Sequence, residues 1–190
     1  MRRQVSSRLL ALVVAGANVV VCVAIVTAQY ALRPDDLPNE VVMVLDQPAY
    51  QQVTGPGGMT THIPAHWPTK VATGPGAMQA DDPQGGARIL RYGGSATPVT
   101  DSYQVHVDYE RQFSLGKNDY VSLRLDRATV RGMPAVDWEF EYDVAEGRRH
   151  VRSVHWVAQG HEYFVYASAP VPMWPETQEI LAVMLHNSTP

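Results

Sequence analysis

Hydrophobic and polar positions divide this chain into two regimes. From Leu9 to Ala28 twenty successive residues carry no charge, with Arg2, Arg3 and Arg8 before them and Pro34-Asp35-Asp36 after. From Met59 onward, apolar residues recur instead at the spacings of strands and helices. A helix of twenty residues is ~30 Å long, the thickness of a bilayer's hydrocarbon core, and it pairs its own backbone groups where no water can. The pattern therefore predicts a cytoplasmic tail over 1–8, one transmembrane helix over 9–28, a linker over 29–58 and a folded domain over 59–190. The arginines ahead of the run keep the N-terminus cytoplasmic and send the domain outside the cell. A cleaved export signal is the alternative, because Val26-Thr27-Ala28 sets small residues before Gln29. The run is nevertheless longer than the ~7–15 apolar residues usual in such signals.

The linker is marked by Pro34, Pro38, Pro48 and Pro56 and by Gly55-Pro56-Gly57-Gly58, which break helices. Glu40 to Leu45 reads equally as a strand or a juxtamembrane helix. Within the domain, short strands are expected at Met59–Ile63, Lys70–Thr73, Ala77–Ala80 and Ala87–Tyr92. Thr100 or Asp101 caps a helix reaching about Leu115, with Tyr103, Val107, Glu110 and Phe113/Ser114 on one face.

The strongest periodicity follows. Val121, Leu123 and Leu125 alternate with Ser122, Arg124 and Asp126; after Gly132, Val136, Trp138, Phe140 and Tyr142 alternate with Asp137, Glu139, Glu141 and Asp143. Period two means strands with one apolar face. Glu146-Gly147 and Gln159-Gly160 supply hairpin turns, giving an antiparallel meander of about four strands. Trp174-Pro175-Glu176 opens a last helix striped by Ile180, Leu181, Met184 and Leu185. Two helices over an antiparallel sheet make an α+β domain.

Composition narrows the functional classes. The chain has 190 residues, 45% hydrophobic, and a formal net charge of −4. Three of its cations lie before the apolar run, so the exported part is more acidic than the whole, which disfavours nucleic acid and anionic lipid head groups. Its single cysteine, Cys22, sits inside the apolar run behind Val21, where a lipoprotein box requires a small residue. The domain itself has neither disulfides nor thiolate chemistry.

Three segments, in order, resemble the Mog1/PsbP-like family: Ile63-Pro64-Ala65-His66-Trp67, Gly132-Met133-Pro134-Ala135-Val136-Asp137-Trp138-Glu139-Phe140, and Gly160-His161-Glu162-Tyr163 through Ala169-Pro170 to Trp174. The likeness extends to extracytoplasmic domains of actinobacterial Ser/Thr protein kinases and, more loosely, to LpqN-type lipoproteins. It implies a sheet sandwiched by helices and used for binding. It carries over no catalytic residue, cofactor or metal, and these 190 residues hold no kinase domain.

Candidate chemistry is sparse. His62 and His66 have helical metal-ligand spacing, but Pro64 between them breaks a helix. His106, Asp108 and Glu110 with Ser114 supply acid, base and nucleophile types, though as solvated helix residues they need not meet. The acidic positions 137, 139, 141 and 143 stand ~7 Å apart along one strand face and are expected to pair with Arg148, Arg149 and Arg152 across the hairpin. Trp67 and Trp174 form a binding surface if both are exposed, and otherwise belong to the core. The sequence thus predicts a non-catalytic membrane-anchored interaction or sensor module with a protein partner in the envelope. A carrier of a small lipid or glycan ligand is the alternative.

Overall fold

The structure, a computed structural model, describes residues 50–74, 76–85, 87–96 and 101–190. The transmembrane helix expected over 9–28 and the undecided stretch 40–45 lie outside these residues. Tyr50–Thr54 (β1) and Thr60–Pro64 (β2) pair as an antiparallel hairpin. The Gly-Pro-Gly-Gly between them is its turn, with Gly57 and Gly58 at φ 75° and 80°, a left-handed conformation that glycine adopts without strain. The folded domain therefore begins by Tyr50, not at Met59. The glycine-proline cluster that reads as linker is a tight reversal inside the domain, with Met59 fully buried behind it.

The remaining strands are Thr69–Val71 (β3), Ala77–Asp81 (β4), Ile89–Ala96 (β5), Asn118–Val130 (β6), Met133–Val144 (β7), Gly147–Ala158 (β8) and His161–Pro170 (β9). They form a seven-stranded sheet in the order β3-β4-β5-β9-β8-β7-β6, antiparallel throughout. The four-strand meander is β6 to β9. Its last strand returns to pair with β5, joining the late strands to the early ones. Positive φ at Arg131-Gly132 and Gln159-Gly160 gives these hairpins the two-residue turns whose twist matches that of strands.

Two helices cover the sheet. Ser102–Leu115 (α1) carries the chain from β5 to β6, and the Asp101 side chain accepts the Gln104 N–H as its cap. Phe113 near its end packs on Trp138, Phe140 and Tyr142. Trp174–His186 (α2) buries Ile180, Leu181 and Met184 in the core of Ile63, Leu90, Tyr92, Trp156 and Val165. Burying a large aliphatic side chain contributes ~1.5–3 kcal/mol, so this stripe anchors α2. Thr61 and Ser188 both bond the Met184 carbonyl, at 2.9 and 2.7 Å, tying β2 to the helix end.

One expected face is broken. Leu125 packs beneath α1, whereas Val121 and Leu123 are exposed. Register shifts between Asn118 and Val121 and between Ser122 and Arg124 add residues to β6, and each insertion moves the following side chains to the other face.

β4, β5 and β9 meet where side chains are excluded. A Cβ at Gly93 would collide with the Gly76 carbonyl oxygen, and one at Gly94 would stand 2.5 Å from the Tyr163 ring. Gly93→Ala should cost about 3 kcal/mol, the upper end for overpacking, in urea unfolding. Gly116→Ala, whose Cβ meets nothing nearer than 3.8 Å, should stay within about 0.5 kcal/mol of the parent. Equal stability of the two variants would contradict this packing.

Candidate functional site

The sheet's alternation sends β7 side chains to two different environments. Val136, Trp138, Phe140 and Tyr142 lie on the α1 side. Asp137, Glu139, Glu141 and Asp143 lie on the other, opposite Val154, Arg152, His150 and Arg148 of β8. Arg152 donates from two nitrogens to both Asp137 oxygens, each at 2.9 Å. Arg148 bonds Glu141 at 2.7 Å and Asp143 at 2.9 Å. His150 reaches Glu139 at 2.7 Å and Glu141 at 2.9 Å. Arg124 of β6 pairs with Glu139 and stands 3.2 Å from Asp137. The expected cross-strand pairing holds for Arg148 and Arg152. Arg149 points the other way, to the Ser168 hydroxyl and the Ala87 carbonyl, because it lies on the opposite face of β8.

Trp174 stacks on His150 with ring centroids 3.9 Å apart, and Arg88 lies over Trp67 at 5.2 Å. Both tryptophans are buried, at 6% and 7% exposure. The joint exposure required of a binding patch is not met. Their rings extend the core because their elements start against the sheet rather than at its rim.

The helix residues singled out for acid–base chemistry do not converge. Asp108 pairs with Arg111 at 3.1 Å, and the Ser114 hydroxyl bonds the Arg111 carbonyl at 3.1 Å. Glu110 accepts from Tyr120 at 2.7 Å and Ser122 at 2.5 Å. Burial, and then that carboxylate, push the Tyr120 hydroxyl above its ordinary range. His106, expected as a solvated residue, is the one buried side chain of α1. One helical turn after Ser102, it faces the sheet, where β8 and β9 present His155 and Glu162. The His106 and His155 rings are 4.2 Å apart. His106 Nδ1 lies 2.8 Å from the Ser102 carbonyl and 4.0 Å from Glu162, and the Ser102 hydroxyl donates to Glu162. Burial and the neighbouring His106 push His155 well below its ordinary value of 6.5.

One donor atom from each of His106, His155 and Glu162 lies within 4.8 Å of the others. His62 lies on β2, whereas His66 is exposed in the turn after it, so the i, i+4 pair shares no helix face. A cleft of about 330 Å³ touches the cluster at Ser102 and Val157. A second, about 420 Å³, lies between α2 and the sheet, lined by Val130, Val154, Leu181 and Leu185 with Arg131 and Arg152. The Ser102 hydroxyl donates to Glu162 and stands 3.4 Å from His106 Nδ1, so the cluster gathers a hydroxyl, two imidazoles and a carboxylate. His155 and Glu162 escape sequence reading because their meeting with His106 depends on where α1 crosses the sheet. The one local signal is an imidazole at an inward strand position between Val154 and Trp156.

The carboxylate row also sets a pH response. Burial raises the Glu141 carboxyl, but bonds from Arg148 and His150 more than offset this and leave it below its ordinary 4.5. A depressed carboxyl contributes stability above its unfolded value that is lost as pH falls through its folded value. The urea midpoint should therefore drop below about pH 4.5. Glu141→Gln should flatten that drop and cost about 1 kcal/mol at neutral pH; an unchanged acid profile in the variant would contradict the pairing.

Comparison with solved structures gives the fold a reference. PsbP of the cyanobacterium Synechocystis sp. PCC 6803 aligns with TM-score 0.59 at 14% identity, covering 75% of this chain and 92% of its own. LpqN of Mycobacterium tuberculosis, described as involved in cell envelope biogenesis, aligns at 0.45 and 12%, covering 74% and 90%. PA94 of Pseudomonas aeruginosa, a protein of unknown function, aligns at 0.42 and 10%, covering 68% and 89%. The curated proteins include no match. The fold is thus the Mog1/PsbP-like one that the three sequence segments imply. The family model described as the serine/threonine kinase C-terminal domain matches residues 51–187, nearly every residue of the folded domain. The chain belongs to the serine/threonine kinase C-terminal domain family.

Proposed function

We propose that this protein is a membrane-anchored, extracytoplasmic interaction or sensor-type module without catalytic activity. The observation that carries the reading is the family match over residues 51–187, to a domain of kinases that is distinct from the kinase itself. The apolar run from Leu9 to Ala28 and the arginines ahead of it support an anchor with a cytoplasmic N-terminus. Among the described residues no helix is long and apolar enough to cross a membrane, so the anchor rests on that run alone. The partner is a protein of the envelope. The carboxylates of β7 are engaged within the domain, so recognition falls to other parts of its surface. The cleft beside α2 favours a second reading, an envelope small-ligand binder: Val130, Val154, Leu181 and Leu185 line it together with Arg131, the pattern of sites that hold a greasy molecule with a polar end.

Protease added to intact cells stripped of their wall should digest the domain without lysis. The mature protein should keep its N-terminal residues and resist extraction from membranes by carbonate. Protection until lysis, or release into the medium with Gln29 as first residue, would contradict the anchor. Photo-crosslinkers placed at exposed Leu115 and Leu123, used in native membranes, should capture a discrete protein. Labelling of lipid or glycan alone, from a crosslinker at Leu185, would favour the small-ligand reading instead.

A further inference from the structure

We propose that His106, His155 and Glu162 bind a divalent transition-metal cation, with zinc the one their donor chemistry matches best. The donors come from α1, β8 and β9, so rigid elements set their separation. Two imidazoles and a carboxylate are the ligand set of many three-protein-ligand zinc sites. One atom from each already lies within 4.8 Å of the others. Ligands ~2.0–2.2 Å from zinc at tetrahedral angles stand ~3.4 Å apart, so closure takes about an ångström of side-chain movement. Glu162, its side chain 23% exposed, has room to supply it.

The neighbours orient these donors as outer partners of a metal site do. The Ser102 carbonyl 2.8 Å from His106 Nδ1 accepts only, so the hydrogen sits on Nδ1 and the lone pair on Nε2; because Nδ1 is the nitrogen 4.0 Å from Glu162, ligation by Nε2 takes a turn of the imidazole ring. The Ser102 hydroxyl bonds the Glu162 carboxylate, fixing its direction. His155 stacks on Phe164 at 5.4 Å and meets the His106 ring at a tilt, 4.2 Å between centroids, so packing holds its ring in place. Three protein ligands leave a fourth position for water or an anionic group. A cleft borders the neighbouring Ser102 and Val157, the latter directly opposite Glu162 in the β8–β9 register.

The test uses the full-length protein in detergent, stripped by chelator and titrated with zinc and with cobalt. Calorimetry should find one high-affinity cation per chain. Cobalt should develop visible ligand-field bands, and the thermal midpoint should climb with zinc concentration. Glu162→Gln and His106→Gln should each weaken zinc binding at least about 100-fold, beyond the ~10–100-fold typical of losing an outer partner. A His62→Ala, His66→Ala double variant should bind as the parent does. Should a variant fail to fold, the imidazole nitrogen resonances of the parent decide: zinc should shift those of His106 and His155. Undiminished binding in Glu162→Gln and His106→Gln overturns the proposal, as do loss in the double variant, shifts confined to other histidines, and absence of binding by the parent.

Discussion

Four carboxylates stand in a row on one face of β7, Asp137 buried and the other three partly covered, and like charges so placed need neighbours of opposite sign. Leaving a buried charge such as Asp137 unpaired costs several kcal/mol, and less where, as at Glu141 and Asp143, water reaches the pair. β7 meets this demand from both sides. β6 offers Arg124, and β8 offers Arg152 and Arg148, with the His150 ring bridging Glu139 and Glu141. The same strand turns Trp138 and Phe140 to the opposite face. A slip of one residue would exchange the two sets, placing carboxylates under Phe113 and aromatic rings among arginines. Charge pairing and aromatic packing therefore enforce one register together, and neither alone would exclude the slipped one as strongly.

The helices take their places from that register. His150 lies between Glu139 and Glu141 and is capped by the Trp174 ring, so the start of α2 is set by a side chain that belongs to the charge network. The far end of α2 is held by Thr61 and Ser188. On the opposite face, Phe113 settles into the rings of β7, which swings the first turns of α1 over β8 and β9 and brings His106 onto His155. The metal site we propose is thus a by-product of how α1 must lie to cover the aromatic side of β7.

Most of the fold is legible in the sequence, and the exceptions have physical reasons. The meander is readable because Val136 to Asp143 keeps strict alternation and Gln159-Gly160 has the residues of its turn. β6 misleads because its bulges shift the phase without changing composition: Val121 and Leu125 read as one face and point to two. The β1–β2 hairpin is missed because Gly55-Pro56-Gly57-Gly58 signals a reversal and a flexible tether equally well, and only Tyr92, packed against Gly55, distinguishes them. The salt bridges of β7 are readable as neighbours in a hairpin. The histidine cluster is not, since Ser102 and Glu162 are separated by the whole of β6 to β8, and their meeting depends on a crossing angle that no local pattern encodes.

The central claim, that the acidic face of β7 is neutralised from within and thereby fixes the sheet, is most directly tested by a double-mutant cycle on Asp137 and Arg152. Urea unfolding of the parent, Asp137→Asn, Arg152→Met and the double variant isolates their interaction. For a bidentate pair with side-chain exposures of 12% and 23%, a coupling of about 1–3 kcal/mol is expected, the double variant being less damaged than the two single losses added together. Strict additivity would mean that the two charges do not depend on each other, and would contradict the account.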